Sequence, residues 1–296
     1  MAILKLRSGE RILLRDLMAV LVLSSCCSSA IADGPALNLR FRTRAEVAPE
    51  SGRYREVTKP ATWNANETAI VICDMWNDHY CRNAARRVAE MAPRMNEVIK
   101  RARQLGILII HSPSGCMGQY ADSPQRKLAQ AAPKVETKLP LQGWCHLNDK
   151  YEAAMPVAID QPCDDDGAIR PAVRFFQRQI DTLEIMAGDA ITDSAEAFYL
   201  MKQRGIENII IMGVHTNMCV LGRPFGIRQM IYQGQNVVLM RDMTDTMYNP
   251  ERPPGVDHFT GTDLVINHVE QHWCPSFTSS DIVGGQPFRF KGDKRK

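Results

Sequence analysis

At 296 residues and 45% hydrophobic content, the chain has room for one large α/β domain or two small ones and the composition of an ordinary globular protein. Its formal charge of +3 sits at the ends: residues 1–32 carry four basic and two acidic side chains, and the tail from Arg289 five and one. The body is therefore slightly acidic, and nothing in it suggests a nucleic-acid binder.

Residues 1–32 read as an export signal. Lys5, Arg7, Arg11 and Arg15 form a basic region, Leu17 to Leu23 a short apolar run, and Ala30-Ile31-Ala32 a small-x-small cleavage pattern. The run is too short to span a bilayer, so no membrane span is expected. Cleavage after Ala32 would give a periplasmic or extracellular protein. The alternative is a lipoprotein anchor, because Leu23-Ser24-Ser25-Cys26 also fits a lipoprotein box with Cys26 lipidated. Residues 33–66, punctuated by Pro35, Pro49, Gly52 and Pro60, read as an irregular lead-in.

Ala69 to Cys73 is the first clear strand, a continuous apolar run that ends at Asp74. Helical spacing of Val88, Met91, Met95, Val98, Ile99 and Ala102 predicts a helix from about Asn83 to Gln104, stopped by Gly106. Ile107 to Ile110 is a second strand, ending at His111. Two buried strands joined by a helix form the βαβ unit of a parallel sheet. Residues 112–182 form a loop-rich excursion with Asp164 to Asp166 in series and one short helix near Gln125 to Ala131; such long insertions usually serve function. After it come a short strand at Leu183 to Met186 and a helix from Asp189 to Arg204. A buried strand at Ile209 to Met212 leads into a helix running from Cys219 to about Gln233. Val237 to Met240 is a further strand, Thr262 to Trp273 a last helix, and Phe277 to Val283 an edge strand. The economical reading is one domain over residues 67–288, followed by a disordered basic tail at 289–296.

Two of the nine cysteines lie in the export segment, and the other seven allow three disulfides and one free thiol in an oxidising compartment. No CxxC pair suggests a zinc ribbon. Cys219 has surroundings that give a thiol a use. Gly213 ends its strand, Thr216 or Asn217 can cap the following helix, and a thiol in that first turn sits among unpaired N–H groups that favour a thiolate. A lone cysteine is more often plain core. Asp74 stands at the end of another strand, however, and in an open parallel sheet the strand ends line one crevice. Asp74 and Cys219 thus form a candidate base–nucleophile pair.

Two segments carry a resemblance. VICDMWNDHYC (Val71 to Cys81) is similar to the apolar strand ending in Asp-Met-x-Asn-Asp, and GVHTNMCV (Gly213 to Val220) to the Gly-Val-x-Thr-x-x-Cys-Val motif, of the isochorismatase-like cysteine hydrolase superfamily. That superfamily includes nicotinamidases and N-carbamoylsarcosine amidase. The resemblance covers roughly residues 67 to 283. It implies a three-layer α/β/α fold with a mostly parallel, Rossmann-like sheet and an Asp-Lys-Cys triad. Asp74 would be the base and Cys219 the nucleophile. A non-proline cis peptide at Val214–His215 would aim a backbone N–H into an oxyanion site beside that of Cys219. Hydrolysis of a small carbon–nitrogen amide through a thioester follows, with a small-molecule substrate and no cofactor or metal. Oligomers are common in the superfamily, so a homo-oligomer is a further implication.

The departure is the lysine. Its usual window, DTLEIMAGDAITDS, holds none, and Met186 falls where the cation belongs; Lys138 and Lys150 in the excursion are the alternatives. This gap favours a rival reading, a catalytically silent homologue that binds a small molecule in the same crevice. A third is acid chemistry on a vinyl ether, in which the cysteine is dispensable. Trp76, Asn77, His79, His111, Thr216 and Arg223 are candidate pocket residues, and Trp144 a candidate wall. Three imidazoles (His79, His111, His215) suggest either a metal or acid–base site or ordinary hydrogen-bonded histidines. Arg223 either binds an anionic substrate or pairs with Asp242.

Overall fold

The computed structural model describes residues 34–165 and 175–295. The expected export segment and cleavage site, Cys26 and Asp166 lie outside the described residues. No helix among those described is long and apolar enough to cross a membrane.

The lead-in is not irregular. Strands β1 (Ala36–Glu46) and β2 (Tyr54–Asn64) form an antiparallel hairpin paired from Ala36↔Asn64 to Glu46↔Tyr54. Leu37, Leu39 and Phe41 alternate with Asn38, Arg40 and Arg42, the period-two pattern of a strand with one buried face. Pro60 is tolerated because β2 is the edge of the sheet.

The predicted βαβ unit is present as β3 (Thr68–Cys73), α1 (Arg82–Gln104) and β4 (Leu108–Ser112), with β3 and β4 parallel. The excursion holds α2 (Pro124–Gln130), whose first turn is capped by the Ser123 hydroxyl accepting from the Arg126 amide. No strand forms at 183–186. The next strand is the two-residue β5 (Ala190–Ile191), and α3 (Glu196–Gln203) starts later than its sequence pattern suggests. Then come β6 (Asn208–Val214), α4 (Cys219–Gly222), α5 (Ile227–Tyr232), β7 (Asn236–Asp245) and α6 (His258–His272). The predicted long Cys219 helix is thus two short ones, broken where Pro224 cannot continue the first. The predicted edge strand is instead a two-residue inner strand β8 (Ser276–Phe277) followed by α7 (Ser280–Val283). The basic tail is ordered through residue 295: Phe290 stacks on Phe259, and Arg295 pairs with Asp263 at 2.7 Å.

The eight strands run β2-β1-β8-β7-β6-β3-β4-β5, parallel from β8 to β5. Alternate side chains of the central strands feed two cores. Ala69, Val71, Ile209 and Ile211 pack with Phe198, Met230 and Val269 of α3, α5 and α6. Ile70, Ile72, Ile210 and Met212 pack with Met91, Met95, Val98 and Ile99 of α1. This is the expected three-layer α/β/α arrangement. From β3 the chain winds outward through β4 and β5, then returns to the other side of β3 as β6 and continues through β7 and β8. The switch point therefore lies between β3 and β6, where a crevice opens at the strand ends.

Candidate active site

At the switch point the two backbones come unusually close. A Cβ on Gly213 (φ 108°) would stand 2.0 Å from the Cys73 carbonyl oxygen, so only glycine fits there. Asp74 follows β3 with a left-handed backbone (φ 49°) and no exposed surface. Its amide donates to Ser112 O (3.0 Å), and the Ser114 amide donates to its Oδ1 (2.7 Å). Across the crevice, β6 ends in a cis Val214–His215 peptide, as the motif implies.

The loop from β6 to Cys219 is tied down by its own polar residues rather than capped by them. Thr216 Oγ1 donates to Thr244 Oγ1, which donates to Gly213 O, both at 2.7 Å. The Asn217 amide clamps Met247 through both of its polar ends. Neither residue caps α4, whose first residue is Cys219 itself, and Thr216 supports the loop instead of lining the pocket.

Cys219 is 7% exposed, with Asp74 and Arg223 both acting on its sulfur. Arg223 Nε lies 3.5 Å from Asp74 Oδ2, an ion pair in which neither atom completes a hydrogen bond. Burial and the Asp74 charge push the Cys219 thiol well up, with Arg223 pulling it down. The thiolate favoured by the sequence does not form at rest, because α4 is a single turn with little dipole and desolvation outweighs it. Burial also raises Asp74, opposed by Arg223, Cys219 and Ser114. The resting site is thus a neutral thiol beside a carboxylate of elevated proton affinity, with a guanidinium against both.

Arg223 thus places a cation beside Asp74 and Cys219, at a position other than those where the sequence offered a lysine. Lys138 lies against Gly234, before the start of β7 and at the opposite end of the sheet. Lys150 sits over the Tyr151 ring at 5.6 Å, and Met186 is 48% exposed. Asp242 is no partner of Arg223, since its carboxylate takes Ser279 and Phe288. The excursion holds Arg223 in place. Trp144 lies under its guanidinium (5.6 Å) and so close to Gly222 that a Cβ there would meet the indole at 2.8 Å. The Cys145 amide donates to Gly222 O at 2.7 Å.

One wall of the crevice is aromatic. Trp76 donates Nε1–H to Ser114 O (3.0 Å) and packs on Phe176 (4.5 Å between centroids). The His79 and His215 rings meet edge to face at 5.0 Å. Burial lowers His79 to about 4 and His215 to about 3, so both are neutral at physiological pH. His111 does not join them. It lies on the α1 side of the sheet, bonded to Gln179 Oε1 (2.9 Å) and Asp189 Oδ2 (3.2 Å). Asn77 is also committed, its Oδ1 accepting from the Gln177 and Arg178 amides. A cleft of about 870 Å³ opens over the site, lined by Trp76, Ser114, Cys116, Gln119, Phe176 and Arg223.

A buried ionic group beneath the loop escaped sequence reasoning. Asp245 accepts from Arg87 Nε (2.7 Å) and pairs with His258 Nε2 (2.8 Å), and its backbone carbonyl takes the Thr216 amide (2.9 Å). Despite burial, Arg87 and His258 hold its carboxyl far below the usual range. Arg87 also binds Asp164 of the excursion (2.8 Å).

No protein-family model and no curated protein matches the chain. Among solved structures it is similar to a cysteine hydrolase from Pseudomonas syringae pv. phaseolicola 1448A, at 16% identity and TM-score 0.47 over 75% of this chain and 92% of that one. It is also similar to an isochorismatase from Pseudomonas putida KT2440 (12%, TM-score 0.45, 74% and 91%). A third is N-carbamoylsarcosine amidase from Thermoplasma acidophilum (15%, TM-score 0.33, 60% and 83%). At these identities the chemistry rests on this chain's own residues.

Proposed function

We propose that the protein is a cysteine hydrolase that cleaves a small amide-type carbon–nitrogen bond. The observation that carries this reading is the convergence of Asp74, Cys219 and Arg223 at the switch point of a parallel sheet. Asp74, raised by burial, takes the Cys219 proton as the sulfur attacks the carbonyl carbon. Negative charge then passes from the carboxylate to the sulfur and on to the carbonyl oxygen. Arg223 stabilises it throughout, and the backbone amides of Cys219 and His215 are the proposed oxyanion donors. The protonated Asp74 returns its proton to the departing nitrogen. The same carboxylate then activates the water that hydrolyses the thioester.

Arg223 also weakens the case for a silent homologue, because a cation stands where the missing lysine left a gap. The neutral His79 and His215 pair and the Trp76–Phe176 wall suit an uncharged, flat acyl group.

Screening small primary amides, N-carbamoyl compounds and ureides for ammonia release tests this reading. Turnover of at least one by the intact protein and none by Cys219→Ala is the expected result. Undiminished turnover by Cys219→Ala selects acid chemistry on another substrate instead. No turnover of any compound returns the silent binder.

A further inference from the structure

Seven cysteines lie within the described residues, all as free thiols. Cys219 is absorbed by the proposed reaction, but a second pair of thiols has no part in it. Cys81 caps the 23-residue helix α1, and Cys163 comes from the far end of the excursion. Their sulfurs and a carboxylate oxygen of Asp165 all lie within 4.8 Å of one another. We propose that Cys81, Cys163 and Asp165 form a binding site for a borderline-soft divalent cation of the zinc class.

The spacing of Cys81 and Asp165 matches such an ion, and Cys163 lies within reach. Tetrahedral zinc, with Zn–S near 2.3 Å and Zn–O near 2.0 Å, places a ligand sulfur and oxygen about 3.5 Å apart and two sulfurs about 3.8 Å apart. Cys81 Sγ stands 3.5 Å from Asp165 Oδ1. Two sulfurs and one oxygen select against magnesium and calcium, which take oxygen alone.

The surroundings fix the donors as a metal site requires. Asp165 is oriented by two backbone amides, Arg82 N–H to Oδ2 (2.7 Å) and Asn83 N–H to Oδ1 (2.8 Å), and its Oδ1 also accepts from the Cys81 thiol, the contact an ion would replace. Asp164 Oδ1 also accepts from the Cys81 thiol (3.3 Å) but both its oxygens are held by Arg87, so a fourth ligand would have to come from solvent. Cys163 and Asp165 are partly exposed while Cys81 is fully buried, which gives an ion an entry path from one side. Both sulfurs would bind the ion as thiolates, so binding must expel their protons.

The consequence is a clamp. Residues 163–165 would be held to the start of α1, beside the Cys81 amide that donates to His79 Nδ1 at 3.0 Å. The ion would thus brace the loop carrying Trp76 and His79. The site stands whether or not Cys219 is a nucleophile.

The test is cobalt(II) and zinc titration of the reduced full chain, read by sulfur-to-cobalt charge-transfer absorption and by metal retained after gel filtration. One equivalent with a two-thiolate band, released protons and a higher melting temperature is expected. Cys163→Ser, at a partly exposed position, should lose at least half the band and at least tenfold in affinity, and Asp165→Asn should weaken binding while keeping both sulfurs. Cys116→Ser should bind as the parent does. Absence of the band in the parent, or an undiminished band in Cys163→Ser, overturns the proposal. So does preferential closure of a Cys81–Cys163 disulfide when zinc and air are supplied together.

Discussion

Replacing Arg223 by glutamine removes the cation and keeps most of the side-chain volume. Two unit charges at the observed 3.5 Å interact by about 4.7 kcal/mol at an effective dielectric near 20. The Arg223 side chain is 28% exposed, and solvent screening trims this to about 3–4 kcal/mol. Asp74 gives up this attraction as it takes the proton, while the sulfur and then the oxyanion gain one of the same kind, so the catalytic share is the difference between the two and about 3–4 kcal/mol is its ceiling. A drop in kcat/KM of up to roughly 10²–10³, carried by kcat, is the expected result. Arg223→Lys keeps the charge and should recover to within about tenfold of the parent. Because Arg223 lowers both Asp74 and Cys219, its removal raises both. The pH profile of Cys219 alkylation by iodoacetamide, followed by mass spectrometry, should then move to higher pH in Arg223→Gln. A variant with unchanged kcat and alkylation profile but raised KM would refute the reasoning, leaving Arg223 as a substrate anchor only.

Three further outcomes follow from the same geometry. Asp74 is raised in the fold, so its ionisation costs stability that grows as pH rises through its folded value. Asp74→Asn should therefore be inactive yet melt at or above the parent temperature at pH 7, with the difference vanishing in acid. Glu152, lowered to about 2 by His268, Arg228 and Trp273 against its burial, behaves oppositely. Glu152→Gln leaves Arg228 buried without its charge partner and should lose about 3–5 kcal/mol at pH 7. The gap should shrink as pH falls from 4.5 towards 2, read by thermal melts. Gly213→Ala forces a Cβ into the Cys73 carbonyl at a left-handed φ and should cost more than about 4 kcal/mol, seen as failure to accumulate as folded protein.

The parts of the fold read correctly from sequence are those written in local periodicity. The β3–α1–β4 unit and β6 announce themselves through continuous apolar runs and helical spacing, which the two cores then use. The hairpin of β1 and β2 is equally written in the alternation of Leu37, Leu39 and Phe41, but Pro49, Gly52 and Pro60 give the same stretch the composition of a loop. Those residues are a turn and an edge-strand proline. Asp74 and Cys219 were accessible because each stands at a strand end. Arg223 was visible as a candidate, yet its partner was not. The chain leaves the helix at Arg223 (φ −65°, ψ 161°), a turn that helical spacing from Cys219 does not foresee. Residues joined only by tertiary packing left no trace in the sequence: Trp144 beneath Arg223, Asp245 with Arg87, and Cys81 with Cys163.

The central claim, that Cys219 attacks with Asp74 as its base, is tested most directly by trapping the acyl-enzyme. An amide that the protein hydrolyses would be mixed with the full chain, quenched in acid within milliseconds, and the intact mass and peptide map recorded. A parallel run with hydroxylamine would capture the acyl group as a hydroxamate. The expected result is an acyl adduct on Cys219 that hydroxylamine discharges, absent in Cys219→Ser and at least about a hundredfold slower to form in Asp74→Asn. Hydrolysis without an adduct on Cys219 and without hydroxamate, or an adduct formed at the parent rate in Asp74→Asn, would contradict it.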